Sequence, residues 1–234
     1  MNFPSCLINT CQQISGVSVS IGKEISRGKW GVVCEAVSKQ NLPSPPLVVK
    51  CILLERESDR KSYDEDCEED CNRTVSLSQF EAEGAMTTKM GKLGVGPQCF
   101  GWTVLKLPAD SMESKKNDTL NIGIILIQRL QFTLIEYTSI IRDFNNCTKL
   151  WRDMEDKVIE KSVLALSAQV VHTDLTTGEN IMINTDSDMK PVDVFFIDWG
   201  FTWTPQDLVA NHTCSIASTL RNKLLFKPRG TAIQ

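Results

Sequence analysis

Two acidic residues in the second half of the chain each follow an apolar segment, and an amide lies between them. Asp174 comes just after Val170-Val171-His172, and Asn180 lies six residues beyond it. Asp198 ends the apolar run Val194-Phe195-Phe196-Ile197. Carboxylate and amide oxygens bind Mg²⁺, and a carboxylate on a loop can accept or orient the proton of an attacking hydroxyl. These groups indicate transfer of a phosphoryl group.

A cation that could hold phosphates lies in the first half of the chain. Lys50 ends the strand-like run Val48-Val49-Lys50. Most lysines at strand ends are simply solvated, so the meaning of Lys50 depends on an acidic partner. Glu81 and Glu83 lie on a predicted helix, but two residues along a helix turn a side chain by about 200°, so only one of them can contact the lysine.

A glycine-containing turn precedes the lysine. Its residues are Ser26-Arg27-Gly28-Lys29-Trp30-Gly31-Val32-Val33. Without a Cβ, glycine lets the backbone come close to a ligand. A Gly-x-x-Gly turn between strands is more often only a turn, so this segment gains weight from the lysine and the carboxylates that follow it.

In this order, the segments resemble the motifs of the protein-kinase-like superfamily. Residues 26–33 resemble the kinase glycine-rich loop, with Ser26 in place of its first glycine, and Val48-Val49-Lys50 resembles the lysine motif of the third kinase strand. Residues 170–183 resemble the catalytic loop. Residues 194–200 resemble the magnesium-binding motif, with Trp in place of Phe.

The resemblance implies a site for ATP and Mg²⁺. Glu83 is the expected partner of Lys50, because Glu83 and the following Gly94-Val95-Gly96-Pro97 are spaced as in small atypical kinases. The resemblance makes Asp174, Lys50 and Glu83 the catalytic residues, and Asn180 and Asp198 the metal ligands. The residues expected to bind ATP are Ser26, Gly28, Lys29, Gly31, Val33, Lys50, Gln128 and Leu130.

The resemblance is closest to minimal Ser/Thr kinases. Asp174-Leu175-Thr176-Thr177 is similar to the kinase of the tRNA-threonylcarbamoylation complex, and RIO-like kinases or a compact kinase of a large DNA virus are the other relatives expected. His172 is expected to be a structural core histidine. Asn180 follows Asp174 by one residue more than in the family, which leaves Glu179 as an alternative metal ligand.

The apolar patterns predict elements that would position these residues. We expect an α+β, two-lobed kinase-like fold in one domain over 1–234, with a small β-rich N-lobe at about 15–128, a hinge at about 126–132 and a truncated, mostly α C-lobe at about 133–234. The polar stretches 57–78 and 108–121 are expected to be loops. The predicted strands are 31–37, 47–53, 122–130, 181–184 and 192–197, and the predicted helices are 78–92, 134–144 and 153–171.

Composition narrows the function classes. The formal net charge of −4 over 234 residues gives no general footprint for nucleic acid or an anionic membrane. No apolar run is long enough for a membrane span and no secretory signal is visible, so we expect an intracellular, cytoplasmic protein, in the host cytoplasm or virion if it is viral.

Three functions fit these features. The first is an ATP- and Mg²⁺-dependent Ser/Thr kinase with an unidentified protein substrate, which the retention of Lys50, Asp174 and Asp198 favours. The second is a pseudokinase that acts as a binding scaffold, and the third is an ATPase or small-molecule kinase within a complex. The short C-lobe and the basic tail at 219–229 could dock a partner, although we expect the tail to pack as a last helix.

Overall fold

A computed structural model describes residues 7–28, 30–39, 45–55, 74–108, 119–200 and 202–203. Lys29, most of the two polar stretches and the basic tail lie outside these ranges. The chain divides into two compact units, Met1–Arg129 and Leu130–Gln234. Within the described ranges, no helix is long and apolar enough to cross a membrane.

The described residues of the first unit form a six-stranded antiparallel sheet and one helix. The strand order in the sheet is β1-β2-β3-β4-β6-β5. The elements are β1 (Cys11–Ile14), β2 (Val17–Arg27), β3 (Val32–Ser38), β4 (Leu47–Leu53), α1 (Leu77–Lys92), β5 (Cys99–Pro108) and β6 (Thr119–Gln128).

Side chains alternate between the two faces of this sheet, as the period of a strand requires. One face forms a core to which every strand contributes, including Ile14 of β1 and Leu105 of β5. The other face packs against α1 through a smaller cluster centred on Phe80 and Ile125. Because residues from both edge strands share the first core, the sheet is curled.

Helix α1 begins with a capping box. The Ser76 hydroxyl accepts a hydrogen bond from the Gln79 backbone N–H, and the Gln79 side chain accepts one from the Ser76 backbone N–H. These two bonds satisfy N–H groups that the start of a helix leaves unpaired. The buried residues recur every three or four positions, so one side of α1 faces the sheet: Phe80, Glu83, Gly84, Thr87 and Met90.

In the part of the second unit that the structure describes, two helices combine with short strands. β10, β9 and β7 form one sheet in that order, and β11 pairs with β8. The elements are β7 (Phe132–Thr133), α2 (Leu134–Ile141), α3 (Cys147–Ser167), β8 (Val171–His172), β9 (Ile181–Thr185), β10 (Pro191–Phe196) and β11 (Thr202–Trp203).

Helix α3 packs on β10 with an ion pair at the contact. The ammonium of Lys161, a buried residue, lies 2.8 Å from Asp193 Oδ1 and 5.5 Å from the centre of the Phe195 ring. Asp193 remains partly exposed. The contact fixes α3 against the strand that leads to Asp198.

The expected α+β fold is confirmed, with differences in its elements. The predicted hairpin is the antiparallel pair β3–β4, and α1 starts one residue before its predicted position. The third helix was placed wrongly at 153–171, since α3 begins at Cys147 and ends at Ser167. Strands β1, β2 and β5 were not expected from the sequence.

Candidate functional site

Lys50 and Glu83 form a buried ion pair in the first unit. Lys50 Nζ lies 2.6 Å from Glu83 Oε1, and their side chains are 15% and 8% exposed. Glu81 lies on the exposed side of α1. Of the two glutamates considered from the sequence, Glu83 therefore contacts the lysine.

Three of the expected ATP-binding residues are neighbours in one row across the sheet. The strand register pairs Ser26 of β2 with Val33 of β3, and Val33 with Lys50 of β4. Directly opposed residues in antiparallel strands point to the same face, and neighbouring strands lie about 4.8 Å apart. The turn and the lysine motif are therefore brought together on the face that α1 covers.

The two glycines of the turn have different surroundings. A Cβ on Gly31 would lie 2.5 Å from the Cys51 carbonyl oxygen, so packing against β4 already requires glycine there. Among the described residues, the nearest neighbour of a Cβ on Gly28 would be the Gly31 oxygen, at 3.9 Å. The Gly28 N–H donates to the Gly31 carbonyl at 2.9 Å and closes the turn. Only Gly28 leaves open space beside its backbone.

Gln128 and Leu130, both expected to bind the nucleotide, differ in whether their backbone is already hydrogen-bonded within the chain. The Gln128 backbone N–H donates to the Gln98 carbonyl at 2.9 Å, and the Arg129 N–H donates to Pro46 at 2.6 Å. The backbone of Leu130 makes no hydrogen bond to another residue in the ranges described here. Of these backbones, that of Leu130 can pair with a ligand without breaking a bond in the chain.

Asp174 and Asn180 are in contact in the second unit. The Asn180 amide nitrogen donates to the Asp174 carbonyl at 2.8 Å and to Asp174 Oδ2 at 3.0 Å. The Asn180 carbonyl accepts from the Ile197 N–H at 3.0 Å, which links the loop to the residue before Asp198. These bonds leave Asn180 Oδ1 as the atom that can bind a cation. Glu179, the alternative ligand, is exposed.

The extra residue between Asp174 and Asn180 is accommodated in a turn. Thr176 and Thr177 are exposed, and Gly178 is buried with φ of 78°. Glycine adopts this left-handed conformation at little cost. A Cβ on Gly178 would also lie 3.3 Å from Leu134 of α2. Gly178 was not singled out from the sequence, although a glycine in a lengthened loop is a signal for such a turn.

Asp198 has an unusual backbone conformation. Its φ is 61°, in the left-handed region that few residues other than glycine adopt. The next residue, Trp199, is buried, and its indole N–H donates to the Phe196 carbonyl at 3.0 Å. Backbone strain of this kind costs of the order of 1 kcal/mol and is often found at functional sites. The Trp199 anchor stabilises the strained residue.

His172 braces the loop in a defined tautomer. Its Nδ1 lies 3.2 Å from the Asp174 backbone N–H, which can only donate, so Nδ1 accepts. Nε2 therefore carries the hydrogen and donates to the Ile197 carbonyl at 2.7 Å. Burial lowers the pKa of His172, although nearby Asp198 and Asp174 oppose that shift. A neutral histidine thus joins the Asp174 segment to the residue before Asp198.

The oxygen atoms present fit a magnesium ion that arrives with phosphates. In the parts of the chain described here, no three His, Cys, Asp or Glu residues are grouped closely enough to hold a metal by themselves. Mg²⁺ commonly uses one or two protein carboxylates together with substrate phosphates and water. Asp198 and Asn180 Oδ1 would provide such a partial set of ligands.

No protein-family model and no curated protein matches the sequence of this chain. In fold, it is similar to vaccinia related kinase 3, with a TM-score of 0.53 and 14% identity over 88% of this chain and 56% of that one. The ROP18 kinase domain in complex with AMP-PNP and sucrose gives 0.54 and 16% identity over 80% and 53%.

The BubR1 kinase domain is a third similar structure, with a TM-score of 0.56 and 10% identity over 85% of this chain and 51% of that one. The chain therefore spans just over half the length of the solved kinases it matches. Identities this low show likeness of fold alone. This protein has a protein-kinase-like α+β fold.

Proposed function

We propose that the chain is an ATP- and Mg²⁺-dependent phosphotransferase, a minimal Ser/Thr protein kinase that acts on a hydroxyl. The observation that carries the proposal is the buried ion pair between Lys50 and Glu83. Removing two charges from water is costly, and a buried pair is weak evidence for a purely stabilising role. A function for the Lys50 ammonium group explains why the chain contains this costly pair.

The roles follow from the contacts in each unit. Lys50, held by Glu83, would donate to phosphate oxygens, and the open side of Gly28 would let the backbone approach them. Leu130 has backbone groups for the nucleotide base. In the second unit, Asp174 would accept or orient the proton of the substrate hydroxyl.

ATP would supply the phosphoryl group that is transferred, and Mg²⁺ would offset the charge of its phosphates. Asp198 and Asn180 Oδ1 would hold the ion, while the Asn180 nitrogen keeps the Asp174 carboxylate in place. The AMP-PNP bound by the similar ROP18 kinase domain supports the proposal of a nucleotide site.

We also propose the finer assignments expected from the sequence. The chain would be a single kinase-like domain of the minimal atypical type, related to RIO-like kinases, the tRNA-threonylcarbamoylation kinase or a compact viral kinase. It would work in the cytoplasm, or in the virion if viral. Its substrate would be a protein, with a partner docked on the short C-terminal lobe.

The first test measures nucleotide binding by thermal unfolding. Ligand that binds only the folded state raises Tm, by roughly 3 to 6 °C at ten times the dissociation constant for a chain of this size. We expect this shift with ATP and Mg²⁺ in the wild type and in Asp174→Ala, and its loss in Asp198→Ala. Asp188→Ala is the matched control, because Asp188 is exposed in the β9–β10 turn.

Transfer is then measured with labelled ATP and a Ser/Thr-containing protein. We expect Asp174→Ala to abolish transfer while it leaves the Tm shift intact. Absence of a shift at millimolar ATP in the wild type would contradict the proposal and favour a pseudokinase scaffold. Hydrolysis or transfer to a small molecule alone would instead identify an ATPase or a metabolite kinase.

A further inference from the structure

Two contacts between a glycine and an aromatic ring hold α1 against its sheet. A Cβ on Gly84 of α1 would lie 2.7 Å from Cγ and Cδ2 of Trp102 on β5. A Cβ on Gly123 of β6 would lie 2.4 Å from the Phe80 ring of α1. Phe80 and Trp102 meet edge to face, with their centres 5.8 Å apart. Helix and sheet therefore interlock, with a ring from each lying on a glycine of the other.

The Trp102 contact shares a row of the sheet with Lys50. The register pairs Lys50 with Ile125, and Ile125 with Trp102, so all three point to the α1 face. The consecutive helix residues Glu83 and Gly84 contact the two ends of this row. Because consecutive residues lie 100° apart around a helix, the two contacts define the rotation of α1 as well as its distance from the sheet.

Helix propensity gives no reason for a glycine at position 84. Glycine inside a helix is about 1 kcal/mol less favourable than alanine. The space that Trp102 occupies gives a physical reason, since any larger residue would displace either the ring or the helix. The glycine therefore permits a closer approach of α1 than alanine would.

We propose that Gly84 and Trp102 are positioning residues, whose contact sets the distance and rotation at which Glu83 reaches Lys50. The functional meaning of this inference rests on the proposed phosphotransferase activity. The contact itself lies entirely within the first unit and can be tested without nucleotide. If the contact only packs the helix, its loss should change stability alone. If it positions Glu83, its loss should also change the chemical reactivity of the Lys50 amine.

The test measures the rate at which N-hydroxysuccinimide acetate acetylates Lys50, read by mass spectrometry relative to exposed Lys106. Glu83→Gln gives the rate without the ionised partner. We expect Gly84→Ala and Trp102→Leu each to raise the Lys50 rate towards that of Glu83→Gln, by roughly tenfold. The double variant should return towards the wild-type rate, because the smaller leucine makes room for the alanine methyl group.

Ala85→Gly is the matched control, since Ala85 is exposed on the same helix. It should lower Tm without changing the Lys50 rate. Wild-type Lys50 rates in folded Gly84→Ala and Trp102→Leu would overturn the inference. If Gly84→Ala does not fold, Trp102→Leu and the double variant decide. Failure of phosphate transfer in the wild type would contradict the proposed function but would not affect the Lys50 acetylation result.

Discussion

His172 is one of two histidines in the chain and the one whose ring joins the Asp174 loop to Ile197. Both ring nitrogens are used, and the ring packs edge to face on Trp199 with centres 4.7 Å apart. Protonation of Nδ1 would place a donor against the Asp174 N–H, which is also a donor. The structure therefore favours the neutral ring, in agreement with the lowered pKa.

Because His172 is neutral in the folded protein, we expect the free energy of unfolding to decrease in mild acid. As the pH drops through about 6.5, the ordinary histidine pKa, the unfolded chain takes up a proton before the folded chain does. The free energy of unfolding then decreases by up to about 1.4 kcal/mol per pH unit, until the lowered pKa of His172 is passed. Urea unfolding between pH 7 and 5.5 should show this slope.

His172→Gln removes the titrating group. It should therefore remove the part of the pH dependence of the unfolding free energy that comes from His172. His212→Gln, which changes the other histidine, should leave it in place. An unchanged slope in His172→Gln would show that another group is responsible. Comparison of slopes is needed because the loss of the ring contact with Trp199 lowers stability at every pH.

At this scale, the sequence offered candidate residues but not the local geometry around them. Asp174 and Asp198 could be selected because each follows an apolar segment, and Asn180 because it lies in the segment that resembles a kinase catalytic loop. The bond between Asn180 and Asp174 could not be foreseen, because it depends on how the Thr176–Gly178 turn accommodates an extra residue. The roles of all the selected residues remain predictions until they are tested.

The helix α1 is the element that carries Glu83, and its start is defined by Ser76. Replacement of the capping hydroxyl by Ser76→Ala should cost about 1 kcal/mol of stability. For a domain of this size, Tm should fall by roughly 2 to 4 °C. Glu81→Ala, which changes an exposed side chain of the same helix, is the control that should change Tm little. Equal effects of the two substitutions would contradict the capping role.

Elements with a strong pattern were predicted, and those whose stability depends on long-range pairing were missed. Helix α1 has a capping box and a regular apolar stripe, so its bounds followed from local signals. β5 contains Gly101 and ends at Pro108, both of which disfavour a strand, yet it pairs with β6 along its length. Pairing across the sheet overrides these local preferences.

The whole molecule consists of two units, and the proposed reaction uses residues from both. If Lys50 and Asp198 act on one nucleotide, the loss of kcat/KM in the double variant should be smaller than the product of the losses in the two single variants. We expect Lys50→Met and Asp198→Asn each to lower kcat/KM by roughly a hundredfold or more. The kcat/KM of the double variant should be only slightly lower than that of the less active single variant.

Initial rates of labelled phosphate transfer give the required comparison. A double variant whose loss equals the product of the two single losses would indicate that the residues act independently. Lys23→Met and Asp188→Asn, which change exposed residues in the same two units, serve as the control pair and should retain wild-type rates.

The curled sheet of the first unit brings its two outer strands near each other. Ser15, in the turn between β1 and β2, lies against Gly101 of β5, whose φ of 138° suits glycine. Unprotected edge strands offer backbone groups to other chains and so promote aggregation. Here each edge is partly screened by the other, and replacement of Gly101 would push them apart. We therefore expect a larger residue at position 101 to leave both edges more open to pairing with other copies of the protein.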